Sequence, residues 1–262
     1  MDFITAIILG AVEGITEFLP VSSTGHLIIL NQWLSFSPGF TKTFDIVIQL
    51  GAILAVIIFF WDKIWPFSAK NKDGAIWGTW KKVVVAVIPA IVVGAAVGSF
   101  VQAKLFNPFV VAAMLIVGGI VLIWIESRPK KADKIESVAA LTYKTAFYVG
   151  LIQCISLIPG TSRSASTIIG AMLLGASRGV AAEFSFLLAI PTMIAATGYS
   201  LLKTGLSLSG HEIVLLAIGF IAAFGFAWAV IGAFMRYVRA KSFKPFGWYR
   251  IALGILVILL LR

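Results

Sequence analysis

Charged residues are scarce in this chain, and most of those present are basic. Of its 262 residues, 11 are Asp or Glu and 21 are Lys or Arg, so that charged residues make up 12% of the sequence. Hydrophobic residues account for 60%. A soluble domain of this length could not bury so much apolar surface. The composition therefore predicts an integral membrane protein.

Cysteine is nearly absent as well. With Cys154 as the single cysteine, an intrachain disulfide is excluded, and we interpret this residue as a small packing group in an apolar stretch. No basic segment precedes the first apolar run, so we expect no cleaved signal peptide. The net charge of +10 is high enough to attract nucleic acid. In a membrane protein, basic cytoplasmic loops explain that charge better, and we expect no nucleic-acid partner.

Long apolar stretches are what the sequence does have. Six approach the ~20 residues that are needed to cross a bilayer: 44–61, 83–101, 109–125, 180–202, 213–235 and 246–261. Two more, about 3–33 and 146–174, are interrupted by Pro and small hydroxyl residues. Each predicts a re-entrant helical hairpin that enters and leaves on one side, because irregular backbone at this depth must be satisfied by protein or water.

The two interrupted stretches carry related motifs. Residues 10–26 read GAVEGITEFLPVSSTGH, and residues 150–165 read GLIQCISLIPGTSRSA; the offset is 140 at the first Gly and 139 at the Pro. The repeat extends further, since FNPF at 106–109 returns as FKPF at 243–246. We predict an all-α integral membrane protein of two inverted repeats in one composite domain. The repeats are 1–128 and 140–262, each a re-entrant helical hairpin plus three transmembrane helices.

The basic residues predict the direction of these spans. If the first hairpin enters from outside, 16 of the 21 basic residues fall in the inside segments 62–82, 126–145, 176–180 and 236–250. The remaining five are Lys42, Lys104, Lys203 and Arg262 outside and Arg163 within the membrane. This distribution agrees with the positive-inside rule, and it places both termini outside.

The first hairpin tip combines acids, hydroxyls and a histidine. Glu13 and Glu17 stand four residues apart, so a helix carries both on one face. Carboxylates that close repel each other, and a divalent cation, which takes oxygen ligands and bridges phosphates, would relieve the repulsion. His26 follows Ser23 by three residues, close enough on a helical turn to act as acid or base toward a hydroxyl, water or phosphate oxygen. One hydroxyl of the run that includes Ser22 is expected to cap the helix starting near residue 25.

The second tip is suited to phosphate. Its glycine and small hydroxyl residues lead into a helix whose free N–H groups can bind an anion. Arg163 adds a planar fork that matches phosphate oxygens. Two half-sites of complementary charge on opposite repeats predict one composite site. We assign phosphate binding to Arg163, Ser162, Thr161, Gly160, Ser22 and Thr167.

These motifs resemble a known family. Residues 13–26 together with 159–164 closely resemble the undecaprenyl-diphosphate phosphatase family of the bacitracin-resistance type, and the resemblance covers the whole chain, including FSFLLA at 184–189. It implies a multi-pass enzyme of the bacterial inner membrane. The enzyme would hydrolyse undecaprenyl diphosphate to undecaprenyl phosphate and inorganic phosphate on the periplasmic side, for reuse in cell-wall synthesis. Both termini would then be periplasmic.

The resemblance also implies site residues and a cofactor. It implies catalytic roles for Ser23, His26 and Glu17 and a divalent cation, Mg²⁺ or Ca²⁺, at Glu13 and Glu17. The expected partners are a polyprenyl diphosphate lipid and the bilayer. Several alternatives stay open: a transporter or flippase of a lipid phosphate, which shares this architecture; water instead of Ser23 as the attacking group; and a homodimer.

Overall fold

The protein is a bundle of helices. The computed structural model describes residues 1–67, 74–128, 134–204 and 208–261, and of residues 203 and 204 it describes the backbone. The helices within these ranges are α1 (Asp2–Thr16), α2 (Ser23–Leu30), α3 (Pro38–Phe59), α4 (Trp61–Ile64), α5 (Ala75–Lys104), α6 (Pro108–Ser127), α7 (Tyr143–Gln153), α8 (Arg163–Leu173), α9 (Arg178–Thr204), α10 (Gly210–Ala240) and α11 (Lys244–Leu260). One isolated bridge joins Ile135 to Ala176, and no strand forms among the described residues. The prediction of an all-α protein is confirmed.

Five of the described helices are long and apolar enough to cross a membrane: α3, α5, α6, α9 and α10. They coincide with the first five predicted spans, and the chain is a multi-pass membrane protein. The sixth predicted span falls on α11, which has 17 residues and carries a buried arginine. It is therefore shorter and more polar than the other five.

Both interrupted stretches form a helix, a break and a second helix. α1 ends at Thr16 and α2 begins at Ser23; α7 ends at Gln153, continues as the 3₁₀ turn Cys154–Leu157, and α8 begins at Arg163. We call the two breaks, residues 17–22 and 158–162, the first and the second tip. Because each tip is followed directly by a helix, its hydroxyl residues meet a helix N-terminus.

Each tip ends in a serine with unusual backbone geometry. Ser22 (φ 72°) and Ser162 (φ 71°) are the two non-glycine residues with positive φ in the described part of the chain. Each side chain caps its helix, Ser22 accepting from the Gly25 N–H at 3.4 Å and Ser162 from the Ala165 N–H at 3.2 Å. The caps stand 140 residues apart, so the register that the prolines shift to 139 returns to 140 at the helix start.

Glycine lets the outer arm of each tip approach its neighbour closely. α1 packs against α10 where a Cβ on Gly10 would overlap the carbonyl oxygen of Gly219. α7 packs against α5 where a Cβ on Gly150 would overlap the carbonyl oxygen of Ala86. Gly10 and Gly150 are again 140 residues apart. Small residues of this kind allow tight helix packing in a bilayer, and they fix the arms that carry the tips.

Part of the predicted charge distribution lies on residues that the structure does not describe. Of the basic residues assigned to the inside or outside, Lys70, Lys72, Lys130, Lys131 and Arg262 lie outside the described residues. The assignment of Arg250 to an inside loop is wrong, since this residue lies in α11 and is 0% exposed. The inside segments therefore hold 15 basic residues instead of 16.

Candidate functional site

Glu17 is the centre of the site. It follows the last residue of α1 and contacts both halves of the chain. One carboxylate oxygen, Oε2, accepts a hydrogen bond from the hydroxyl of Ser23 at 2.6 Å, and the other, Oε1, accepts one from Nη2 of Arg163 at 2.9 Å. The side chains of Arg163 and Glu17 are 11% and 10% exposed. Three residues predicted from separate motifs thus meet in one nearly dry cluster.

Arg163 is held in place by α9 as well as by Glu17. Its Nη1 donates to the carbonyl oxygen of Ser185 at 3.1 Å, and Nη2 also reaches the sulfur of Met193 at 3.3 Å. The buried Nε has no hydrogen-bond partner. A guanidinium that already bonds a carboxylate and a carbonyl is fixed in orientation, and Nε keeps free capacity for a ligand oxygen.

The other predicted phosphate ligands divide into two groups. Ser22 and Ser162 serve as helix caps, and Thr167 bonds the hydroxyl of Ser185 at 2.6 Å. Thr161 differs from these, because its buried Oγ1 has no hydrogen-bond partner. Gly160 adopts φ +89°, a conformation that glycine tolerates. In this cluster, the hydroxyl of Thr161 and Nε of Arg163 retain unused hydrogen-bonding capacity.

His26 does not bond Ser23 in this structure. Its Nδ1 lies 2.8 Å from the carbonyl oxygen of Ser22, and its Nε2 lies 2.7 Å from the hydroxyl of Tyr249 on α11. A carbonyl can only accept, so Nδ1 carries the proton and Nε2 accepts from the tyrosine. The two rings are stacked with centroids 5.5 Å apart. The sequence gave no sign of Tyr249, which is 223 residues away.

Glu13 is the most unusual acid of the site. It is 0% exposed, and neither carboxylate oxygen has a hydrogen-bond partner. The carboxylates of Glu17 and Asp45 act on it electrostatically, as does the guanidinium of Arg163. A buried carboxylate without a partner is costly, so a proton or a cation must compensate it. Its oxygens are of the type that hard cations prefer. Among the described residues, however, no three His, Cys, Asp or Glu side chains cluster as a metal site.

Arg250 ties the two tips together. Its guanidinium donates to the carbonyl oxygens of Pro20 in the first tip, at 3.3 Å, and of Gly160 and Thr161 in the second, at 3.2 and 2.9 Å. It also bonds the carbonyl oxygens of Met114 and Leu115 in α6. A charged residue inside an apolar stretch usually marks a functional position. Its place within the predicted span 246–261 was therefore a usable signal.

The chain matches known proteins over nearly its whole length. The family model described as "Bacitracin resistance protein BacA" matches residues 6–256. "Undecaprenyl-diphosphatase" of Enterococcus faecalis is 47% identical over 268 residues, covering 99% of this chain and 97% of the relative. "Undecaprenyl-diphosphatase 1" of Clostridioides difficile (strain 630) is 50% identical over 264 residues, covering 98% and 96%. A relative from Variovorax paradoxus (strain S110), also "Undecaprenyl-diphosphatase", is 47% identical over 97% of this chain.

Proposed function

The chain belongs to the bacitracin resistance protein BacA family, and from that premise we propose that it hydrolyses undecaprenyl diphosphate to undecaprenyl phosphate and inorganic phosphate. The names of its relatives support this reaction. The observation that carries it is Glu17, which joins a hydroxyl from one tip to a guanidinium from the other. Phosphoryl transfer asks mainly for positioning and charge neutralisation, which this cluster provides.

Ser23 is the proposed nucleophile. Its oxygen attacks the terminal phosphorus, the bond from that phosphorus to the bridging oxygen breaks, and undecaprenyl phosphate leaves. The hydroxyl proton passes to Glu17, because the hydrogen bond of 2.6 Å already points there. This geometry favours Glu17 over His26 as the first proton acceptor.

A water molecule completes the reaction. It attacks the phosphoserine, the bond between phosphorus and the serine oxygen breaks, and protonated Glu17 returns its proton to that oxygen. Nε2 of His26 accepts the proton of the water, since in the observed tautomer it carries a lone pair. Inorganic phosphate is released, and Ser23 and Glu17 return to their starting states.

Arg163 changes partner during this sequence. While Glu17 is a carboxylate, it holds Nη2 at 2.9 Å. Once Glu17 takes up a proton, the charge that holds the guanidinium is lost. Arg163 can then turn its donors to the phosphate oxygens, together with the free Nε and the hydroxyl of Thr161. Proton transfer and phosphate binding are coupled through this one side chain.

A divalent cation, Mg²⁺ or Ca²⁺, is part of the proposal. The unpartnered oxygens of Glu13 fit such an ion, and Glu17 would share it. When bound, the ion would neutralise charge on the diphosphate. Two carboxylates with substrate phosphates and water are a common way to hold Mg²⁺, which is consistent with the absence of a cluster of three ligands among the described residues.

The proposed architecture is a pair of inverted repeats with re-entrant tips. Three features recur at an interval of 140 residues and support it: the close-packed glycines Gly10 and Gly150, the broken helices and the strained caps Ser22 and Ser162. The distribution of basic residues supports a site that opens to the periplasmic side of the bacterial inner membrane, with both termini periplasmic.

A transporter or flippase of a lipid phosphate is the competing function, since inverted repeats with broken helices are its architecture. Transport would not require a hydroxyl held against a carboxylate. Release of inorganic phosphate by the purified protein separates the two functions. Rapid quenching followed by intact-protein mass analysis should reveal one added phosphoryl group on the wild type and none on Ser23→Ala. Ser127→Ala, at an exposed position on α6, is the matched control.

A turnover rate in Ser23→Ala above about a tenth of the wild-type rate, ~1.4 kcal/mol in activation free energy, would reject Ser23 as nucleophile. Attack by a water activated by Glu17 or His26 would then be the mechanism. If the wild type released no phosphate at all, the hydrolase function itself would be refuted.

A further inference from the structure

A cavity of about 550 Å³ lies between α5, α9 and the turn that follows α7. Most of its wall is formed by small and aliphatic residues, among them Ala90, Gly94 and Gly98 of α5 and Ala195 of α9. This size and this apolar lining are typical of a site for a small molecule or lipid chain. Glu17, Ser23 and Arg163 are not part of the wall.

The matching position in the other repeat is filled by packing. If the repeats correspond, α10 and α3 are the counterparts of α5 and α9. There, a Cβ on Gly51 would overlap the carbonyl oxygen of Phe220, and one on Gly219 would overlap the ring of Phe44. In α5, by contrast, a Cβ on Gly94 would meet its nearest neighbour at 3.8 Å, and one on Gly98 would have no atom within 4 Å. The two helices that flank the cavity therefore stand apart where their counterparts touch.

One end of the cavity adjoins the candidate active site. Gln153, the last residue of α7, lines the cavity just before the second tip. It is 1% exposed, and both polar atoms of its amide lack hydrogen-bond partners. Thr192 lines the cavity as well, and the next residue, Met193, contacts the guanidinium of Arg163 at 3.3 Å. An unpaired buried amide is costly, so a polar ligand group at this end would stabilise it.

The side of the cavity is open to the bilayer. Ile91 and Ala95 on α5 and Ala195 and Ala196 on α9 line it, and all four are exposed. These residues are apolar, so a lipid chain can enter between the two helices without passing through water. The cavity thus has a lateral apolar opening and a polar end beside the active site.

We propose that this cavity binds the isoprene units of the polyprenyl chain that lie next to the diphosphate. This assignment rests on the proposed function, because it takes a polyprenyl diphosphate as the substrate. The amide of Gln153 would face the polar head, and the walls of α5 and α9 would bury the chain. Each buried methylene group adds to affinity, so the cavity gives the enzyme a preference for long prenyl chains.

Filling the cavity tests the assignment. Gly98→Leu and Gly94→Leu place a side chain in open space, so the helices need not move. The matched control is Gly225→Leu on α10, which is exposed and also has no neighbour within 4 Å. The measured quantity is kcat/KM for undecaprenyl, farnesyl and dimethylallyl diphosphate. We expect the ratio of farnesyl to dimethylallyl to fall about tenfold in the cavity variants, ~1.4 kcal/mol, and to stay at the wild-type value in Gly225→Leu.

A second readout does not depend on hydrolysis. A polyprenyl monophosphate with a diazirine in its first isoprene units should crosslink to the segment of α5 around Gly94 in the wild type, and Gly98→Leu should abolish this crosslink. Equal losses for all three substrates, or no loss for any, would overturn the assignment. It would also be overturned by a variant that keeps the chain-length ratio but changes oligomeric state, because a second copy would then cover the cavity. A wild type that crosslinks but releases no phosphate would refute the hydrolase function and leave the binding assignment standing.

Discussion

Glu17 acts on two reactive groups at once. It accepts from the hydroxyl of Ser23 and from the guanidinium of Arg163 through different oxygens. A change of charge at this one residue therefore alters both the nucleophile and the phosphate ligand. Replacement of either partner leaves the carboxylate with only one bond in a nearly dry environment, where unpaired charge is costly.

Glu17→Gln should nearly abolish turnover. The amide keeps the shape of the side chain but cannot accept the proton of Ser23, and general acid–base groups contribute about 10²–10⁴-fold to rate. Phosphate release by the purified variant measures the effect, with Glu136→Gln at an exposed position as the control. A variant with more than a tenth of the wild-type rate would show that the proton goes elsewhere.

Glu13→Gln should weaken cation binding. Both oxygens of Glu13 are free of hydrogen bonds, whereas those of Glu17 are engaged. Removal of a charged oxygen ligand weakens a hard-cation site directly. We expect a higher Mn²⁺ concentration at half-saturation, measured by electron paramagnetic resonance without substrate. An unchanged Mn²⁺ titration would mean that Glu13 is compensated by a proton instead.

Arg250→Met should destabilise the fold as well as the site. The substitution removes donors from the carbonyl oxygens of Pro20, Gly160 and Thr161, which are then buried without partners. Each lost bond to a charged donor costs about 1.5–3 kcal/mol, so we expect a loss of at least ~3 kcal/mol. Thermal unfolding in detergent tests this, and the exposed Arg239→Met is the comparison. Equal unfolding temperatures for the two variants would contradict the role of Arg250.

The residues of the site were predictable to different degrees. Glu17, Ser23 and Arg163 could be found from sequence, because charged and hydroxyl groups beside a proline are exceptional in apolar stretches. Their pairing could not, since the carboxylate faces residues on two distant segments. The contact of His26 with Tyr249 was hidden for the same reason: an exposed tyrosine on another helix has no local signature.

At the scale of the elements, the helix breaks follow from the sequence but the geometry inside them does not. Pro20 and Pro159 predict an interruption, because proline lacks the N–H that a helix interior needs. The positive φ of Ser22 and Ser162 carries no sequence signal, since such values favour glycine. The exact start of α2, two residues before the predicted one, depends on that cap.

Ser22→Ala and Ser22→Gly should differ in stability. Alanine loses the cap and keeps the unfavourable φ, so we expect a loss of about 1 kcal/mol or more. Glycine also loses the side-chain cap but adopts positive φ freely, and a few tenths of a kcal/mol is the expected cost. Thermal unfolding of the two purified variants gives the comparison. If alanine were as stable as glycine, neither the cap nor the backbone conformation would matter at this position.

For the whole molecule, hydropathy predicted five spans that the structure confirms. The relation between the repeats is set by contacts across the membrane. Orientation depends on the basic residues and can be tested at two exposed lysines, Lys104 at the end of α5 and Lys241 after α10.

In a Cys154→Ala background, Lys104→Cys should react with a membrane-impermeant maleimide in intact cells, and Lys241→Cys should react only after lysis. The positive-inside distribution is the physical reason. Labelling of Lys241→Cys but not Lys104→Cys in intact cells would invert the topology.

The position of Arg250 bears on how the protein is made. Both tips lie in parts of the chain that the ribosome synthesises earlier, whereas the side chain that joins them is on α11, the last of the described helices. During insertion the tips must therefore wait, with their carbonyl groups unpaired, until α11 docks against α6. Catalytic competence is in this sense acquired at the end of biogenesis, and a nascent chain that stops before α11 would contain every proposed catalytic residue in an unassembled state.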